Sequence, residues 1–222
     1  MNVLVVAAHP DDEALGCGAT IARHVANGDS VSVAFMTDGV GARRGVGPDA
    51  ASRRAACDKA LSELGVSRSW HYPFPDNGMD TVPLLEIIEA VEVTAREISP
   101  DRIYTHHATD LNIDHRLTHQ AVLTAFRPTP QARFQAIMAF ETASSTEWSA
   151  QGASDSFQPD HFIDITAFLD AKLSALAAYD EEMRQFPHPR SPEAIRALAQ
   201  WRGSTAGLEA AEAFKTIRWI QR

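Results

Sequence analysis

The sequence has little cysteine, no long hydrophobic run and no excess of basic residues. Two cysteines, Cys17 and Cys57, are too few for a disulfide framework or a cysteine-rich zinc site. The first apolar run, residues 3–8, is far too short to span a bilayer, and we expect no signal peptide before it. These absences predict a cytoplasmic protein with reduced thiols and no membrane span.

The charge balance is acidic. Lys and Arg number 20 against 29 Asp and Glu, which gives a net charge of −9 at pH 7 and argues against a nucleic-acid or anionic-membrane partner. Hydrophobic residues make up 45% of the 222, as in ordinary globular proteins, so disorder and fibrous folds are excluded. We expect one domain over residues 1–222, and the composition leaves a homo-oligomer open.

Strands and helices alternate along the chain. Residues 3–8 form an apolar, β-branched run typical of a strand buried on both faces. The other predicted strands and helices are strands at 30–36, 102–105 and 134–140 and helices at 14–26, 49–64, 82–98 and 114–126. The C-terminal part, 165–222, is predicted to be helical and to pack on this domain, with helices at 167–182, 192–201 and 207–220. This order predicts an α/β fold with a Rossmann-like, doubly wound, mostly parallel sheet, whose ligands bind beyond the carboxyl ends of the strands.

Polar side chains directly follow the first predicted strand. His9, Asp11, Asp12 and Glu13 come at the end of residues 3–8. Imidazole and carboxylate groups suit zinc, and a catalytic zinc takes three protein ligands and leaves one position for water. The alternative is that Asp11 or Asp12 caps the next helix, which would leave His9 unexplained. The turn therefore offers two metal ligands.

A second polar cluster follows the strand predicted at 102–105. It holds His106, His107 and His115, each of which would alone be an ordinary loop residue. Because both clusters lie at strand ends of one sheet, we expect the third ligand here. Asp114 is expected to fix the tautomer of the His115 ring or to cap the following helix.

These motifs resemble those of a known family. Residues 8–13, AHPDDE, look like the signature of the LmbE-like, or PIG-L, zinc-dependent N-deacetylases, and residues 112–116, NIDHR, are similar to their second motif. Further similarities lie at residues 52–54, 64–65, 74–76 and 210–214, so the resemblance covers nearly the whole chain. It implies that His9, Asp12 and His115 bind Zn²⁺ and that Asp11 is the general base. The implied reaction removes an acetyl group from an N-acetylglucosamine-type sugar or glycoconjugate.

Three residues are candidates for binding that sugar. Arg53 matches a position at which the family places a substrate-binding arginine; without the resemblance it would be a solvated residue or a partner of Asp49. We expect it to be exposed and to contribute little to folding. Asp38 follows the second predicted strand, and Glu141, equally interpretable as a buried structural carboxylate, follows the strand at 134–140. The acidic run 180–182 is expected to be a solvated helix face.

One residue departs from the family's second motif. Asn112 stands where relatives commonly have a histidine that stabilises the tetrahedral oxyanion. An amide can donate a hydrogen bond but cannot carry a proton through the reaction. We therefore expect either Asn112 or His188, in the proline-bracketed loop 186–190, to supply the catalytic donor.

The leading hypothesis is a zinc-dependent N-deacetylase of a small N-acetylated sugar or glycoconjugate. One alternative is an amidase of a sugar-linked thiol conjugate. Another is a catalytically inactive glycan or sugar-nucleotide binding protein, against which Asp11 argues because binding needs no base. A dinucleotide-binding oxidoreductase is excluded, since the acidic turn at residues 9–13 would face the pyrophosphate with negative charge.

Overall fold

The computed structural model describes residues 1–41, 49–149 and 156–221. Its strands are β1 (Asn2–Ala7), β2 (Ser30–Thr37), β3 (Arg68–Phe74), β4 (Arg102–His106), β5 (Ala136–Phe140), β6 (His161–Asp164) and β7 (Ala211–Trp219). Its helices are α1 (Asp12–Ala26), α2 (Ala50–Glu63), α3 (Leu84–Ile98), α4 (Ile113–Ala125), α5 (Leu169–Ala178) and α6 (Pro192–Ser204), with a 3₁₀ turn at Met79–Thr81. None of the helices in these ranges is long and apolar enough to cross a membrane.

All seven strands form one sheet in the order β3-β2-β1-β4-β5-β7-β6. The first five strands in this order are parallel, whereas β7 runs antiparallel to both β5 and β6. The predicted α/β class with a mostly parallel sheet is confirmed. The carboxyl ends of β1 and β4, which are neighbours, therefore open on the same edge of the sheet.

Strand β1 supplies side chains to both faces of the sheet. Val3 and Val5 pack in one core with residues of α1, α2 and α5. Leu4 and Val6 pack in a second core with residues of α3 and α4. All four side chains are fully buried, which explains why the run is continuously apolar instead of alternating.

The predicted helix at residues 207–220 is wrong. Strand β7 occupies most of this range and lies between β5 and β6, so the C-terminal part is not wholly helical. Its first residues, Ala211, Glu212 and Ala213, are good helix formers, but pairing on both sides overrides that local preference. Strand β3 at the edge of the sheet was not predicted either.

Helix α1 is broken in its second turn. Cys17 has φ −148° and ψ 26°, values outside the helical region. Directly before it, Gly16 lies against the ring of Phe140, where an added Cβ would come within 2.2 Å of a ring carbon. Only glycine allows this approach, so the start of α1 sits close over the end of β5.

A buried ion pair binds the backbone groups on both sides of this break. Lys172 Nζ donates to the Leu15 carbonyl at 2.8 Å and to Glu212 Oε1 at 2.6 Å. The Glu212 carboxylate accepts from the amides of Ala19 at 3.1 Å and Thr20 at 2.7 Å. Groups that an unbroken helix would pair internally are thus paired by side chains from α5 and β7.

Removing one member of this pair should destabilise the protein strongly. We expect Lys172→Ala to lower the free energy of unfolding by about 3 to 5 kcal/mol, because it leaves the Glu212 carboxylate buried without its cation. Urea titration followed by circular dichroism measures the change. Arg196→Ala is the control, since it breaks the exposed Arg196–Asp170 pair and should cost no more than about 1 kcal/mol. Equal losses in the two variants would contradict the role given to the buried pair.

Candidate functional site

The three predicted metal ligands meet at the carboxyl ends of β1 and β4. His9 follows β1, Asp12 begins α1, and His115 lies in the first turn of α4. Asp12 Oδ2 is 3.1 Å from His9 Nδ1 and 3.2 Å from His115 Nε2, and the two nitrogens are 3.3 Å apart. All three side chains are buried. The structure therefore brings together the set that the sequence predicted.

This donor set fits a divalent metal ion. Ligand atoms about 2.0 Å from a tetrahedral ion lie about 3.3 Å from one another, which is the spacing found here. Asp12 Oδ1 is buried and has no hydrogen-bond partner among the described residues. An unpaired buried oxygen is costly, and a bound cation would satisfy it. Two imidazoles and one carboxylate are ligands that zinc accepts.

Two carboxylates orient the imidazoles. Asp114 Oδ2 lies 3.1 Å from His9 Nε2, and Asp110 Oδ1 lies 3.0 Å from His115 Nδ1. Such contacts fix the tautomer of a ligating histidine and turn its other nitrogen toward the metal. The expectation for Asp114 is therefore wrong in its details, because Asp114 holds His9 instead of His115 and α4 is capped by Asn112.

His9 carries a second carboxylate on the same nitrogen. Asp76 Oδ1 lies 3.2 Å from His9 Nε2, so His9, Asp76 and Asp114 form a second trio with metal-ligand spacing. Burial by itself lowers the pKa of His9, but the hydrogen bonds of Asp114, Asp12 and Asp76 outweigh burial and raise that pKa well above its ordinary value.

His106, the last residue of β4, supports the cluster from behind. Its fully buried ring stacks on His115 with centroids 3.8 Å apart. Its Nε2 accepts from the Ala8 amide at 2.9 Å, which leaves the proton on Nδ1, 3.3 Å from Thr142 Oγ1. Burial and the neighbouring His115 hold the pKa of His106 well below its usual range. This ring packs against a predicted ligand and belongs to neither His/Asp trio with metal-ligand spacing among the described residues.

Asp11 sits in the turn in an uncommon backbone conformation. Its φ of 125° lies in the left-handed region, and its amide donates to Glu13 Oε2 at 3.0 Å. Glu13 Oε1 accepts from the Tyr179 hydroxyl at 2.7 Å, and burial raises the pKa of Glu13 to about 8. Burial also raises the pKa of Asp11, although Arg190 beside it acts in the opposite direction. The turn is thus held by groups from α1 and from the end of α5.

A cavity of about 130 Å³ lies beside His9, Asp11 and His115. A space of this size suits a small group such as an acetamido group, and a larger molecule would extend beyond its mouth. Five predicted site residues line it, namely His9, Asp11, Arg53, Asn112 and His115. Ser145, Glu182 and Arg190 line it as well, and none of these three was predicted as a site residue.

The other predicted substrate and catalytic residues do not line this cavity. Asp38 is exposed, and its carboxylate accepts from a backbone amide two residues on. Glu141 is bound by both arms of Arg202, at 2.7 Å each. His188 Nδ1 accepts from the Arg190 amide at 3.1 Å. The roles given to Asp38, Glu141 and His188 stay predictions.

Arg53 is buried, so the expectation of an exposed side chain is wrong. It is 4% exposed and donates to the Gly39 carbonyl at 3.2 Å and to Glu182 Oε1 at 2.6 Å. Glu182 is buried too, which corrects the expectation for this residue, whereas Asp180 and Glu181 of the same acidic run are exposed as expected. Asp49 is not the partner of Arg53; its side chain accepts from the Ser52 amide and caps α2. Arg53 therefore supports the cavity wall, and its contact with substrate stays a prediction.

Sequence reasoning missed Asp110, His106 and Arg190. Asp110 and His106 were within the second polar cluster, so their nearness to His115 was visible although their roles were not. Arg190 lies within the proline-bracketed loop 186–190, for which the sequence predicts a catalytic role of His188 only. Only the folded loop shows that the arginine, whose Nη1 is 2.9 Å from Asp11 Oδ2, reaches the cavity.

Comparisons with known proteins give a consistent assignment. Residues 4–126 match the PIG-L family, described as GlcNAc-PI de-N-acetylase. The chain is 32% identical over 181 residues to the uncharacterized deacetylase YaiS of Escherichia coli, covering 79% of this chain and 88% of that protein. It is 27% identical over 213 residues to a probable N-acetyl-α-D-glucosaminyl L-malate deacetylase 2 of Bacillus cereus, covering 90% and 93%. The N,N′-diacetylchitobiose deacetylase structure from Pyrococcus horikoshii shares the fold, with a TM-score of 0.79 at 21% identity over 97% of this chain and 83% of that one.

The geometry predicts which side chains hold a metal. We expect His115→Ala to lose one bound divalent ion per chain, and Asp110→Ala to weaken metal affinity about 10- to 100-fold because the His115 ring is then no longer oriented. Elemental analysis and titration against a chelating indicator measure both effects. The control is His107→Ala, since His107 Nδ1 contacts Thr109 and lies outside both trios. Full metal content in His115→Ala would show that the ion binds elsewhere.

Proposed function

Because the chain belongs to the PIG-L family of de-N-acetylases, we propose that it is a cytoplasmic, zinc-dependent hydrolase that removes the acetyl group from an N-acetylglucosamine-type sugar or glycoconjugate. The observation that carries the proposal is the convergence of His9, Asp12 and His115 beside a carboxylate that is not a ligand, Asp11. A protein that only binds the sugar would need the three metal ligands but would not need the Asp11 carboxylate.

The residues divide into metal ligands and a base. Zinc held by His9, Asp12 and His115 would polarise the amide carbonyl and lower the pKa of a water from 15.7 towards about 7. Asp11 takes the proton from this water and passes it to the departing amine. The amide contact with Glu13 keeps the Asp11 carboxylate in the cavity, so the base is positioned before substrate arrives.

The size and lining of the cavity support a small amide on a larger polar molecule. Its volume of about 130 Å³ accommodates the acetamido group and leaves most of a sugar conjugate at the mouth. Arg53, Asn112 and Ser145 in the wall provide groups that can bond to sugar hydroxyls. The name of the Bacillus relative, which cites an N-acetylglucosaminyl malate, agrees with this substrate class.

Acetate release tests the proposal. The zinc-loaded protein is incubated with N-acetylglucosamine in free, nucleotide-linked and glycosidic forms, and we expect acetate from at least one of them. Asp11→Asn should keep the metal and lower turnover about 10²- to 10⁴-fold, because the water then lacks its base. Asp58→Asn, which changes an exposed carboxylate on α2, is the matched control and should not alter turnover.

Three results would contradict the proposal. Wild-type turnover in Asp11→Asn would place the base elsewhere. Cleavage of sugar-linked thiol amides without any acetate release would favour the amidase. Tight sugar binding without hydrolysis of any amide would favour the binding protein.

A further inference from the structure

Hydrolysis of an amide needs a hydrogen-bond donor for its carbonyl oxygen. This oxygen becomes negative when water adds to the carbonyl carbon, and a fixed donor at that point lowers the barrier. The donor has to line the cavity that holds Asp11, because the base and the oxygen belong to one reacting centre. The polar side chains in the wall can therefore be compared by which of their donor atoms are already used.

The predicted donor Asn112 uses one of its two amide protons and one acceptor position of its oxygen in contacts within the protein. Its Oδ1 accepts from the Asp114 amide at 2.8 Å as the cap of α4, and its Nδ2 donates to Asn77 Oδ1 at 2.8 Å. The Ser145 hydroxyl donates to Asp110. Neither side chain is placed to give its bonded proton to a substrate without breaking a contact that shapes the site.

Arg190 is differently placed. Its Nη1 donates to Asp11 Oδ2 at 2.9 Å and lies 3.3 Å from Glu182 Oε2, and its Nε donates to Ser144 Oγ at 2.7 Å. Its Nη2 donates to no residue in the described part of the chain, although Arg190 lines the cavity. The guanidinium is thus anchored by two nitrogens and keeps the third for a ligand.

Asp11 shows the complementary pattern. Only its Oδ2 accepts from Arg190, and among the described residues nothing donates to Oδ1. One oxygen of the base is therefore fixed while the other is available to a water molecule. The Arg190 guanidinium, which is bonded to this carboxylate, therefore lies within two hydrogen-bond lengths of the water that Asp11 would activate.

We propose that Arg190 is a catalytic residue, with Nη2 donating to the substrate's carbonyl oxygen as it becomes negative while Nη1 holds Asp11. The assignment rests on the proposed deacetylation. Asp11 Oδ1 takes a proton from water, the water oxygen bonds to the carbonyl carbon, and the carbonyl electron pair moves onto the oxygen bonded to Arg190. When the C–N bond breaks, that pair restores the carbonyl and the nitrogen takes the proton from Asp11. The products are a free amine and acetic acid, which releases its proton to solvent and becomes acetate.

Anchoring before substrate binds is what makes this donor effective. The contacts with Ser144, Glu182 and Asp11 fix the plane of the guanidinium, so little reorganisation is needed during the reaction. Glu182 is shared with Arg53 at 2.6 Å, and it therefore stays paired when Arg190 is removed. We accordingly expect Arg190 variants to fold.

A tetrahedral anion tests the assignment directly. We use a methylphosphonamidate of glucosamine, whose charged phosphoryl oxygens resemble the developing oxyanion, and measure its affinity for the zinc-loaded protein by calorimetry. Arg190→Ala should lower kcat/KM about 10²- to 10³-fold and weaken phosphonamidate binding by a similar factor, with KM and zinc content little changed. Arg190→Lys, which keeps the charge but not the fork, should recover part of both. Added guanidinium ion should partly rescue Arg190→Ala but not Asp11→Asn.

The control is Arg184→Ala. Arg184 is exposed near the same loop, and within the described residues it donates only to the carbonyls of Glu181 and Met183. This variant should match the wild type in kcat/KM and in phosphonamidate affinity.

The outcomes separate the two proposals. If the wild type binds the phosphonamidate and releases acetate but Arg190→Ala binds the phosphonamidate equally well, Arg190 merely positions Asp11 and the assignment is overturned. The assignment is also overturned if Arg190→Ala and Arg190→Lys both unfold, or if added guanidinium ion does not restore activity to Arg190→Ala. Either result would mean that Arg190 is structural. If the wild type neither releases acetate nor binds the phosphonamidate, the proposed deacetylation fails, and the assignment fails with it.

Discussion

The carboxylate of Asp12 is withdrawn from water, and its charge has to be balanced by its neighbours. An unpaired buried carboxylate would be strongly destabilising. Burial by itself raises the pKa of Asp12, yet His115 and the other facing imidazoles hold that pKa well below its ordinary value. His9 and His115 are held in turn by Asp114 and Asp110. The polar centre is therefore an alternating series of acidic and basic side chains, each paired with the next. Both polar loops fold so that these pairs can form.

A second alternating series of charged side chains begins at Asp11, the residue next to Asp12. Asp11 contacts Arg190, Arg190 and Arg53 share Glu182, and the four side chains come from three separate segments of the sequence. The two positive and two negative charges in this series balance one another, so the site can keep two arginines at one small cavity without a large net charge. The first series suits a cation, whereas the second presents guanidinium groups to an anion. An amide that becomes negatively charged during hydrolysis would lie where the two series meet.

Site residues that depend on residue type and on a position at a strand end can be predicted from the sequence. Contacts, burial and strand assignments that depend on long-range packing cannot. The two polar clusters could be predicted because each combines ligand chemistry with a position after a buried strand, and the choice of His9, Asp12 and His115 within them follows from the resemblance to the PIG-L motifs. The choice of Asp110 over Asp114 as partner of His115 depends on how the intervening loop folds back, which no local pattern records. The local composition of residues 207–220 favours the predicted helix, whereas pairing with β5 and β6 makes residues 211–219 a strand. The burial of Arg53 likewise depends on α5 and the segment after it, far along the chain.

The break in α1 links the order of synthesis to the completion of the catalytic centre. Glu212 binds the amide of Thr20 across 192 residues of sequence. Contacts with so large a separation form late, because a long loop has to close before they contribute. Ribosomes add roughly 5 to 20 residues per second, so the turn that carries Asp11 and Asp12 waits about 10 to 40 s for the carboxylate that secures the helix behind it. A nascent chain that ends between His115 and Glu212 contains every predicted metal ligand but lacks the carboxylate that binds the backbone after the break in α1.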